Sequence, residues 1–488
     1  MSDAHLARGL SGKFVLAVTV GGIIGLGILR GPGEIADVVT EPVPYLALWL
    51  IGGLFVLLST AVSAELVGMT PRSGGFYSLV RRAYGPYPGF VIGWADWLTY
   101  PADLALKAFV ITEFTAILLP GTETWATWLA IAVTSVFAVV QLRSVNASAY
   151  LQETATALIG LIIVALAVVL FFVNSPESTP VTVVRGESSL RDWSLVLATI
   201  IFTYDGWLYA SYFSGEIRGG AGAVARGCIK GVVIVIALYM LLNLALVKSV
   251  GLAPLAGSDL ALASALELAV HPAAGAFVVV AAIVILLSHQ NLEYLTASRI
   301  LQALAVDGLM VKKAQSVGKG GNPVVALLIT WIVAVGLIFV GGFEFLLLLS
   351  VFFYVPLYLA LIVGIIILRK TEPDEDRPYK AWGHPWSTFI CLVGWSIITV
   401  FQAWVERETA LHALGMIAVS LPASELQPYL EGACDLASAN APSLSVASGS
   451  VAEIDALEKR LSDAEVDFQR VAVERAGHSR LFDEILPE

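Results

Sequence analysis

The chain has 488 residues, of which 57% are hydrophobic and only 14% are charged, and its mean hydropathy is +0.81. This composition excludes a soluble globular protein, because so few polar residues cannot cover its surface. The net charge of −11 comes largely from the C-terminal tail and gives no sign of a nucleic-acid partner.

Apolar stretches long enough to cross a lipid bilayer as helices recur along most of the chain. They predict an all-α, multi-pass protein of the cytoplasmic membrane. About eleven spans are expected, near residues 14–38, 44–68, 88–119, 124–142, 150–173, 194–216, 228–250, 272–304, 323–341, 343–368 and 386–405.

A twelfth span is left open by the segment "ETALHALGMIAVSLP", whose apolar part is short and ends at Pro422. Without it, the tail would leave the membrane on the outer side. The positive charges place the N-terminus in the cytoplasm, because the outer loops then hold only Arg185, Arg191 and Lys248 among the many Lys and Arg residues.

The first span contains "VTVGGIIGLGILRGPGEIA", residues 18–36, with six glycines and one proline. Each glycine destabilises a helix interior by roughly 1 kcal/mol relative to alanine. One interpretation is close helix packing through small residues. The other is a helix interrupted within the membrane, where glycine permits an unwound backbone and the close approach of a ligand.

Charged residues in the third and eighth spans are candidates for ion coupling or gating. Asp103 and Lys107 lie four positions apart, so they share a helix face and can pair. They form either a proton or gating relay or a structural ion pair. His289 and Glu293 occupy the eighth span, and for His289 the alternative is a hydrogen-bonded core residue.

The sixth span, "TIIFTYDGWLYASYFSGEI", is interrupted midway by Thr203, Tyr204, Asp205 and Gly206. It lies five spans after the glycine-rich first span, and such a pair is typical of inverted-repeat transporters that bind substrate at the membrane centre. The start of a half-helix suits a carboxylate, and its exposed carbonyl groups suit an ammonium group or a cation. Asp205 either caps the second half of span 6 or contacts an amine or a proton.

The tail differs in composition from the rest of the chain. The segment "LASANAPSLSVASGS" predicts a flexible linker over 423–450, after a transmembrane domain over 1–422. An acidic amphipathic helix in the cytoplasm is predicted over 451–488, either for docking or self-association or as an appended solvated helix. Its apolar residues are Ile454, Leu457, Leu461, Ala464, Phe468 and Val471.

Four ordered motifs resemble those of the amino acid–polyamine–organocation superfamily, over roughly residues 10 to 405. They are "GGIIGLGILRGPG", "AELVGMTPRSGGFYSLVRRAYGPYPGFVIGWADWL", "FTYDGWLYASYFSGEI" and "ASRILQALAVDGLM". The sixth-span motif is similar to the L-type amino acid transporter branch. The resemblance implies a leucine-transporter-like fold, in which spans 1–5 and 6–10 form inverted repeats and spans 1 and 6 are broken.

The resemblance also implies a binding site between the broken spans. Backbone N–H groups would bind the substrate carboxylate, carbonyl groups would bind its amine, and aromatic side chains would form a gate and a pocket. The N–H groups are those of Gly25, Leu26 and Gly27, and the carbonyl groups are those of Ile23, Ile24, Phe202, Thr203 and Asp205. Phe202 would be the gate, and Tyr204 and Trp207 would shape the pocket.

Several residues depart from the family pattern. Leu26 stands where a small residue is usual, and either restricts the pocket or faces a neighbouring helix. Relatives often carry a lysine in span 5 where this chain has Ile159, so Lys107 is a candidate replacement. Asp205 replaces a common glycine. The outer loop "LPGTETW" has no cysteine, so no disulfide-linked heavy chain is expected.

The predicted function is secondary active transport of an amino acid, by uptake or exchange, with H⁺ or Na⁺ as an open possibility. An amine or polyamine permease and an amino acid sensor without flux remain as alternatives. An enzyme is not expected, because the chain shows no Walker lysine motif, metal-ligand cluster or nucleophile motif. We expect no cofactor and no metal, and the partners are the substrate and the lipid bilayer.

Overall fold

The computed structural model describes residues 6–173, 189–258, 260–340, 346, 354–411, 415–419, 430, 435–441, 444–449, 451–464, 466 and 468–471. The chain divides into two compact units, Met1–Thr399 and Val400–Glu488. The first unit is helical and holds both broken spans.

Fourteen α-helices start within the described part of the first unit. They are α1 Gly12–Ile23, α2 Gly27–Val38, α3 Pro42–Met69, α4 Gly75–Tyr84, α5 Pro86–Leu118, α6 Ala126–Arg143, α7 Val145–Phe172, α8 Leu190–Thr203, α9 Gly220–Ser249, α10 Ala261–Ala269, α11 Gly275–Val306, α12 Val324–Val340, α13 Tyr354–Thr371 and α14 Trp386–Leu411. Short 3₁₀ helices occur at Thr122–Trp125, Tyr209–Phe213, Pro272–Ala274 and Lys312–Gln315.

Six helical segments are long and apolar enough to cross a membrane, judged by length and composition within the described residues. Three further apolar helices, Asp192–Thr203, Val324–Phe339 and Trp386–Phe401, are shorter. The helix α5 has 33 residues, although four charged residues lower its hydropathy. The count of about eleven crossings therefore stays a prediction.

The helices pack in pairs that relate the two predicted repeats. The helix α3 packs against α9, α5 against α11, α6 against α12, and α2 against α8. Each pair joins a span of the first repeat to the span five places later in the chain. This pairing agrees with the five-plus-five inverted repeat that the sequence predicts.

The predicted breaks in spans 1 and 6 are confirmed. The helix α1 ends at Ile23 and α2 begins at Gly27, so the residues between them are not helical. The helix α8 ends at Thr203, and a run of turns leads to the 3₁₀ helix Tyr209–Phe213. Gly206 has φ of +93° in this turn, a backbone conformation that favours glycine.

Most of the glycines in span 1 serve close packing. A Cβ atom on Gly27 would lie 2.8 Å from Cα of Thr203, and one on Gly22 would lie 2.6 Å from the Tyr209 ring. A Cβ atom on Gly21 would lie closer still to the Thr156 hydroxyl. Only Gly25 falls within the non-helical segment. Both interpretations of the glycine-rich stretch therefore hold, at different positions.

The C-terminal unit contains strands, which the sequence did not lead us to expect. They are β1 Gly415–Val419, β2 Asp435–Ala441, β3 Leu444–Gly449 and β4 Phe468–Val471, and one helix, α15 Val451–Asp463, connects β3 to β4. The strand order is β2-β3-β1-β4, and every neighbouring pair is antiparallel. Because β3 and β4 are therefore parallel with β1 between them, β3-α15-β4 is a split βαβ unit.

Three predictions for the tail differ from this structure. Strands β2 and β3 lie within the predicted linker, and Gly415–Val419 is a strand rather than part of a twelfth span. The helix ends at Asp463, because the chain then alternates polar and apolar residues and pairs as β4. Leu457 and Leu461 are buried, as the amphipathic pattern predicts, whereas Ala464 is exposed.

Candidate functional site

The break in span 1 leaves backbone N–H groups open at the start of α2. Among the described residues, no hydrogen bond uses the N–H groups of Gly25, Leu26 or Gly27, and the first bond of the new helix runs from Leu29 to the carbonyl of Leu26 at 3.0 Å. The positive end of the helix dipole lies at the same place. This end of α2 can therefore bind a carboxylate, as the resemblance implies.

The carbonyl groups at the break are engaged by protein side chains. The Tyr239 hydroxyl lies 3.1 Å from the carbonyl oxygens of both Ile23 and Thr203, and it can donate its one proton to either. The N–H of Asp205 donates to the carbonyl of Phe202 at 3.2 Å. Because a buried carbonyl group needs a hydrogen-bond partner, these interactions satisfy the broken ends without substrate.

Tyr239 is a site residue that the sequence analysis missed. It lies in α9, is fully buried, and packs on Tyr204 with ring centroids 5.0 Å apart. A tyrosine within an otherwise apolar span was the available signal, since a buried hydroxyl group requires a partner.

The aromatic residues of span 6 point in different directions. The Tyr204 hydroxyl donates to the carbonyl of Trp49 at 3.1 Å, so this side chain packs in the core between α3 and α9. Trp207 is buried and stacks on Tyr358, with ring centroids 4.8 Å apart. Phe202 is 52% exposed and does not cover the break in this structure.

The Asp205 side chain is held in place by a residue of α13. The Tyr358 hydroxyl, on α13, donates a hydrogen bond to its carboxylate. The same Tyr358 ring stacks on Trp207. Tyr358 therefore contacts both Asp205 and Trp207, the residues on either side of Gly206. This places a carboxylate at the end of α8, near the break.

Leu26 faces neighbouring helices. It packs against the cluster formed by Val110 and Ile111 of α5 and Leu286 of α11. Of the two interpretations, contact with a neighbouring helix is the one that this structure shows.

The structure brings together all four charged or titratable candidates from spans 3 and 8. Lys107 donates to Asp103 at 2.6 Å, to Glu293, and to Nδ1 of His289 at 3.1 Å. We call Asp103, Lys107, His289 and Glu293 the Lys107 cluster. The Glu293 side chain has no solvent exposure, whereas those of Asp103 and Lys107 are 12% and 16% exposed.

The Lys107 cluster reaches the break in span 1 through His289. An ammonium group has no lone pair, so Nδ1 of His289 must accept from Lys107 and Nε2 must carry the ring proton. That Nε2–H donates to the carbonyl of Ile24 at 3.2 Å. His289 therefore connects the Lys107 ammonium group to the unwound backbone.

Ile159, at the span 5 position where the resemblance implies that relatives often carry lysine, is buried, and the polar groups one and two turns before it are neutral. Gln152 donates to Ser288 at 3.0 Å and accepts from Asn291 at 2.9 Å. Thr156 donates to the carbonyl of Ala17 in α1 at 3.0 Å. This amide network joins α1, α7 and α11 without a charge.

The end of span 6 is fastened by a buried ion pair. Arg299 of α11 donates two hydrogen bonds to Glu216, at 2.9 and 3.1 Å, and both side chains are almost fully buried. The backbone carbonyl of Glu216 accepts from the N–H groups of Gly9 and Leu10. The N-terminal end of span 1 is therefore attached to the end of span 6.

A second set of ion pairs lies at the ends of α3, α4, α11 and α13. Glu65 accepts hydrogen bonds from Arg369 and Arg377. Asp307 pairs with Arg72 at 2.8 Å and accepts from Tyr77 at 2.6 Å. Burial alone would raise the pKa of Asp307, but the hydrogen bonds from Arg72 and Tyr77 outweigh it, so its pKa is lowered.

A cavity of about 760 Å³ lies away from the break, between α1, α7 and α9. Its wall is mainly apolar, with Lys13, Tyr150 and Glu153 among its polar residues. It contains none of the residues between α1 and α2, so it is not the site described above.

Comparison with known proteins agrees with this architecture. The family described as "Amino acid permease" matches residues 10–418. The serine/threonine exchanger SteT of Bacillus subtilis is 23% identical over 397 residues, which cover 80% of this chain and 90% of SteT.

Two further relatives are similar over most of their length. The b(0,+)-type amino acid transporter 1 of Mus musculus is 26% identical, over 75% of this chain and 77% of that protein. A probable GABA permease of Pseudomonas aeruginosa is 27% identical, over 80% of this chain and 86% of that protein. With a family match over most of its length, the chain belongs to the amino acid permease family of membrane transporters.

Proposed function

We propose that the chain carries an amino acid across the cytoplasmic membrane by alternating access, with the substrate bound between the broken spans. The observation that supports this most directly is the set of open N–H groups on Gly25, Leu26 and Gly27 at the start of α2. They suit a substrate carboxylate, because they combine hydrogen-bond donors with the positive end of a helix.

The substrate amine would bind on the span 6 side of the break. Of the five predicted carbonyl ligands, those of Ile24 and Phe202 already have donors within the protein, and those of Ile23 and Thr203 share the one hydroxyl proton of Tyr239. An amine must therefore displace one of these donors or use Asp205. We favour the Asp205 carboxylate, since it is a partly buried group beside the turn at Gly206 and accepts a hydrogen bond from Tyr358.

The Lys107 cluster would couple or gate transport. It lies between α5 and α11 and contacts the carbonyl of Ile24 through His289. Lys107 contacts span 8 through His289 and Glu293. We therefore propose that it takes the role of the span 5 lysine that this chain lacks.

The orientation follows from the distribution of basic residues. Arg72, Arg82, Arg369 and Arg377 all take part in ion pairs at one end of the bundle. Under the positive-inside rule this end would face the cytoplasm, which supports the proposal of a cytoplasmic N-terminus. The two described cysteines, Cys228 and Cys391, are buried. That no disulfide-linked heavy chain is present stays a prediction.

The test is uptake of a panel of labelled amino acids into proteoliposomes, with and without unlabelled amino acid inside. Uptake of at least one amino acid, reduced at least tenfold by Asp205→Asn, is the expected result. If the protein is an exchanger, uptake will require unlabelled amino acid inside the proteoliposomes. The relative SteT is named as a serine/threonine exchanger.

The alternatives predict different results in the same assay. An amine or polyamine permease will take up labelled putrescine or γ-aminobutyrate but no α-amino acid, and one relative is a probable GABA permease. A sensor will bind amino acid without flux. Either outcome would contradict the proposal.

A further inference from the structure

The cavity between α1, α7 and α9 opens on the outer surface of the helical unit. Leu161 of α7 and Ile234 of α9 line it, and these side chains are 65% and 42% exposed. Both helices are long and apolar enough to cross a membrane, so this surface faces lipid rather than water. The volume of about 760 Å³ lies within the range of pockets that bind small molecules.

The cavity extends along the helices from their N-terminal ends toward the membrane centre. On α1 it runs from Lys13, the second residue of the helix, to Val20, and on α7 it runs from Glu153 to Val164. At the rise of an α-helix, the α7 part is about 16 Å long. Half of the hydrocarbon core of a bilayer is about 15 Å thick. The cavity therefore spans one leaflet, on the side of the membrane where α1 begins.

The chemistry of the wall changes along this length. The part nearest the membrane centre is lined by aliphatic side chains, which include Val20, Val164 and Leu238. The charged lining residues are Lys13 and Glu153, and both lie at the end where α1 begins. Such a wall suits a ligand with a hydrocarbon chain and a charged head, because apolar surface favours hydrocarbon and charged groups favour charged partners.

The two charged residues have capacity for a ligand. Lys13 is exposed and makes no ion pair or hydrogen bond with another described residue. Glu153 accepts a hydrogen bond from the Ser11 hydroxyl at 3.1 Å through one carboxylate oxygen. An ammonium group has three donors and a carboxylate has several acceptor sites, so both side chains can bind a further group.

Charges of opposite sign at one end of the cavity fit a headgroup that carries both signs. The ammonium group of Lys13 can donate to a lipid phosphate, and the carboxylate of Glu153 can accept from a primary ammonium group. A choline headgroup has no N–H to donate to Glu153. A purely anionic headgroup would be repelled by the same carboxylate. Phosphatidylethanolamine has the required phosphate and primary amine.

We propose that the cavity between α1, α7 and α9 binds one phosphatidylethanolamine molecule. Its phosphate contacts Lys13, its ammonium group contacts Glu153, and one acyl chain lies along the aliphatic wall of α7. The site contains none of the residues between α1 and α2. The inference therefore does not depend on the proposed transport.

The bound lipid would stabilise the present position of the first half of span 1. The helix α1 packs on both α7 and α9, and Ser11, which caps α1, donates to Glu153. A ligand that contacts all three helices favours the conformation in which they form the cavity, because it binds that conformation more tightly than others.

The experiment is native mass spectrometry of the purified full chain in detergent micelles. The micelles contain equal amounts of dioleoyl phosphatidylethanolamine, phosphatidylcholine and phosphatidylglycerol. We expect one retained phosphatidylethanolamine per chain, in about tenfold excess over each of the other two lipids. One charge-assisted hydrogen bond accounts for a preference of this order.

Three variants test the two ends of the site. Lys13→Gln and Glu153→Gln each remove one charge, and each is expected to abolish the preference. Ala157→Trp fills the apolar part of the cavity and is expected to prevent retention while both charges remain. The matched controls are Arg8→Gln, an exposed basic residue before α1, and Leu158→Trp, a 45% exposed residue of α7 that does not line the cavity. Both controls should behave like the wild type.

Thermal unfolding in the same micelles gives a second readout. Phosphatidylethanolamine should raise the melting temperature of the wild type more than the other two lipids do, because a ligand of the folded state stabilises it. Without added lipid, the melting temperature also shows whether each variant is folded. If Ala157→Trp does not fold, the two glutamine variants still decide the result.

Three outcomes would overturn the inference. Equal retention of all three lipids would mean that the cavity holds bulk lipid without reading its headgroup. A preference for phosphatidylglycerol would mean that Lys13 acts without Glu153. A wild-type preference in Lys13→Gln or Glu153→Gln would exclude these contacts. Each outcome leaves the proposed transport intact, because no flux is measured.

Discussion

The Tyr239 hydroxyl lies 3.1 Å from two carbonyl oxygens that belong to different broken helices, those of Ile23 and Thr203. Single side chains therefore satisfy backbone groups that helix interruption leaves unpaired. His289 does the same for Ile24. At the residue scale, the broken spans are stable without substrate because α9 and α11 supply these donors.

Tyr239→Phe should destabilise the protein. The ring would still pack, but the carbonyl groups of Ile23 and Thr203 would lose their donor, at a cost of about 1–3 kcal/mol. Thermal unfolding in detergent measures the loss. The control is Tyr150→Phe, because Tyr150 is 71% exposed and should give no change. Equal stability of both variants would contradict this role for Tyr239.

Asp307→Asn should weaken the protein in a pH-dependent way. Because its pKa is lowered in the folded protein, the carboxylate stabilises the fold above its ordinary value of 3.8 and loses this effect as the pH falls through the lowered value. We expect a loss of less than about 1 kcal/mol at pH 7, because Arg72 is 39% exposed. The difference in melting temperature from wild type should shrink as the pH falls below 3.8 and through the lowered pKa of Asp307. A difference that stays constant with pH would argue against this role.

At the element scale, the two broken spans contact each other through glycine. The start of α2 lies against the end of α8, and a Cβ atom on Gly206 would overlap the carbonyl oxygen of Gly22. This close approach puts the open N–H groups of one half-helix beside the turn of the other. The binding site therefore depends on the small size of these glycines as well as on the unwinding at Gly206.

Gly27→Ala should disrupt transport. The new Cβ would lie 2.8 Å from Cα of Thr203, so α2 and α8 must separate. We expect at least a tenfold loss of uptake in proteoliposomes, because displaced groups no longer fit the substrate. Gly160→Ala is the matched control, since its Cβ would meet no atom within 4 Å and should leave uptake unchanged. Similar uptake by both variants would contradict the packing role of Gly27.

At the scale of the whole molecule, the chain consists of a helical unit and a C-terminal unit with a four-stranded sheet. The family match ends at residue 418, close to the start of the strands. Most of the C-terminal unit therefore lies outside the part of the chain that the family model matches.

Deletion of residues 412–488 should leave transport within about twofold of the full chain, because a separate compact unit is not part of the binding site. Uptake into proteoliposomes measures this, with reconstituted protein amounts matched by immunoblot. Loss of flux with retained amino acid binding would instead favour a role of the tail in transport.

The strand at Gly415–Val419 also predicts the side of the tail. If the eleven predicted spans all cross, the end of α14 lies on the side opposite to the N-terminus, because an odd number of crossings separates the two ends. Alkaline phosphatase fused after residue 411 should then be active outside the cytoplasm. Activity only for a fusion to the N-terminus would indicate the reverse orientation.

The sequence alone determined the membrane class, the two broken spans and the family, because apolar length and local helix-breaking residues are properties of neighbouring positions in the chain. It did not reveal the donors for the broken ends, because Tyr239 and His289 are far from Ile23 and Ile24 in sequence. It also predicted a linker where β2 and β3 pair, since strands of small and polar residues have weak local signals. These features depend on contacts between distant segments, and only the tertiary structure brings such segments together.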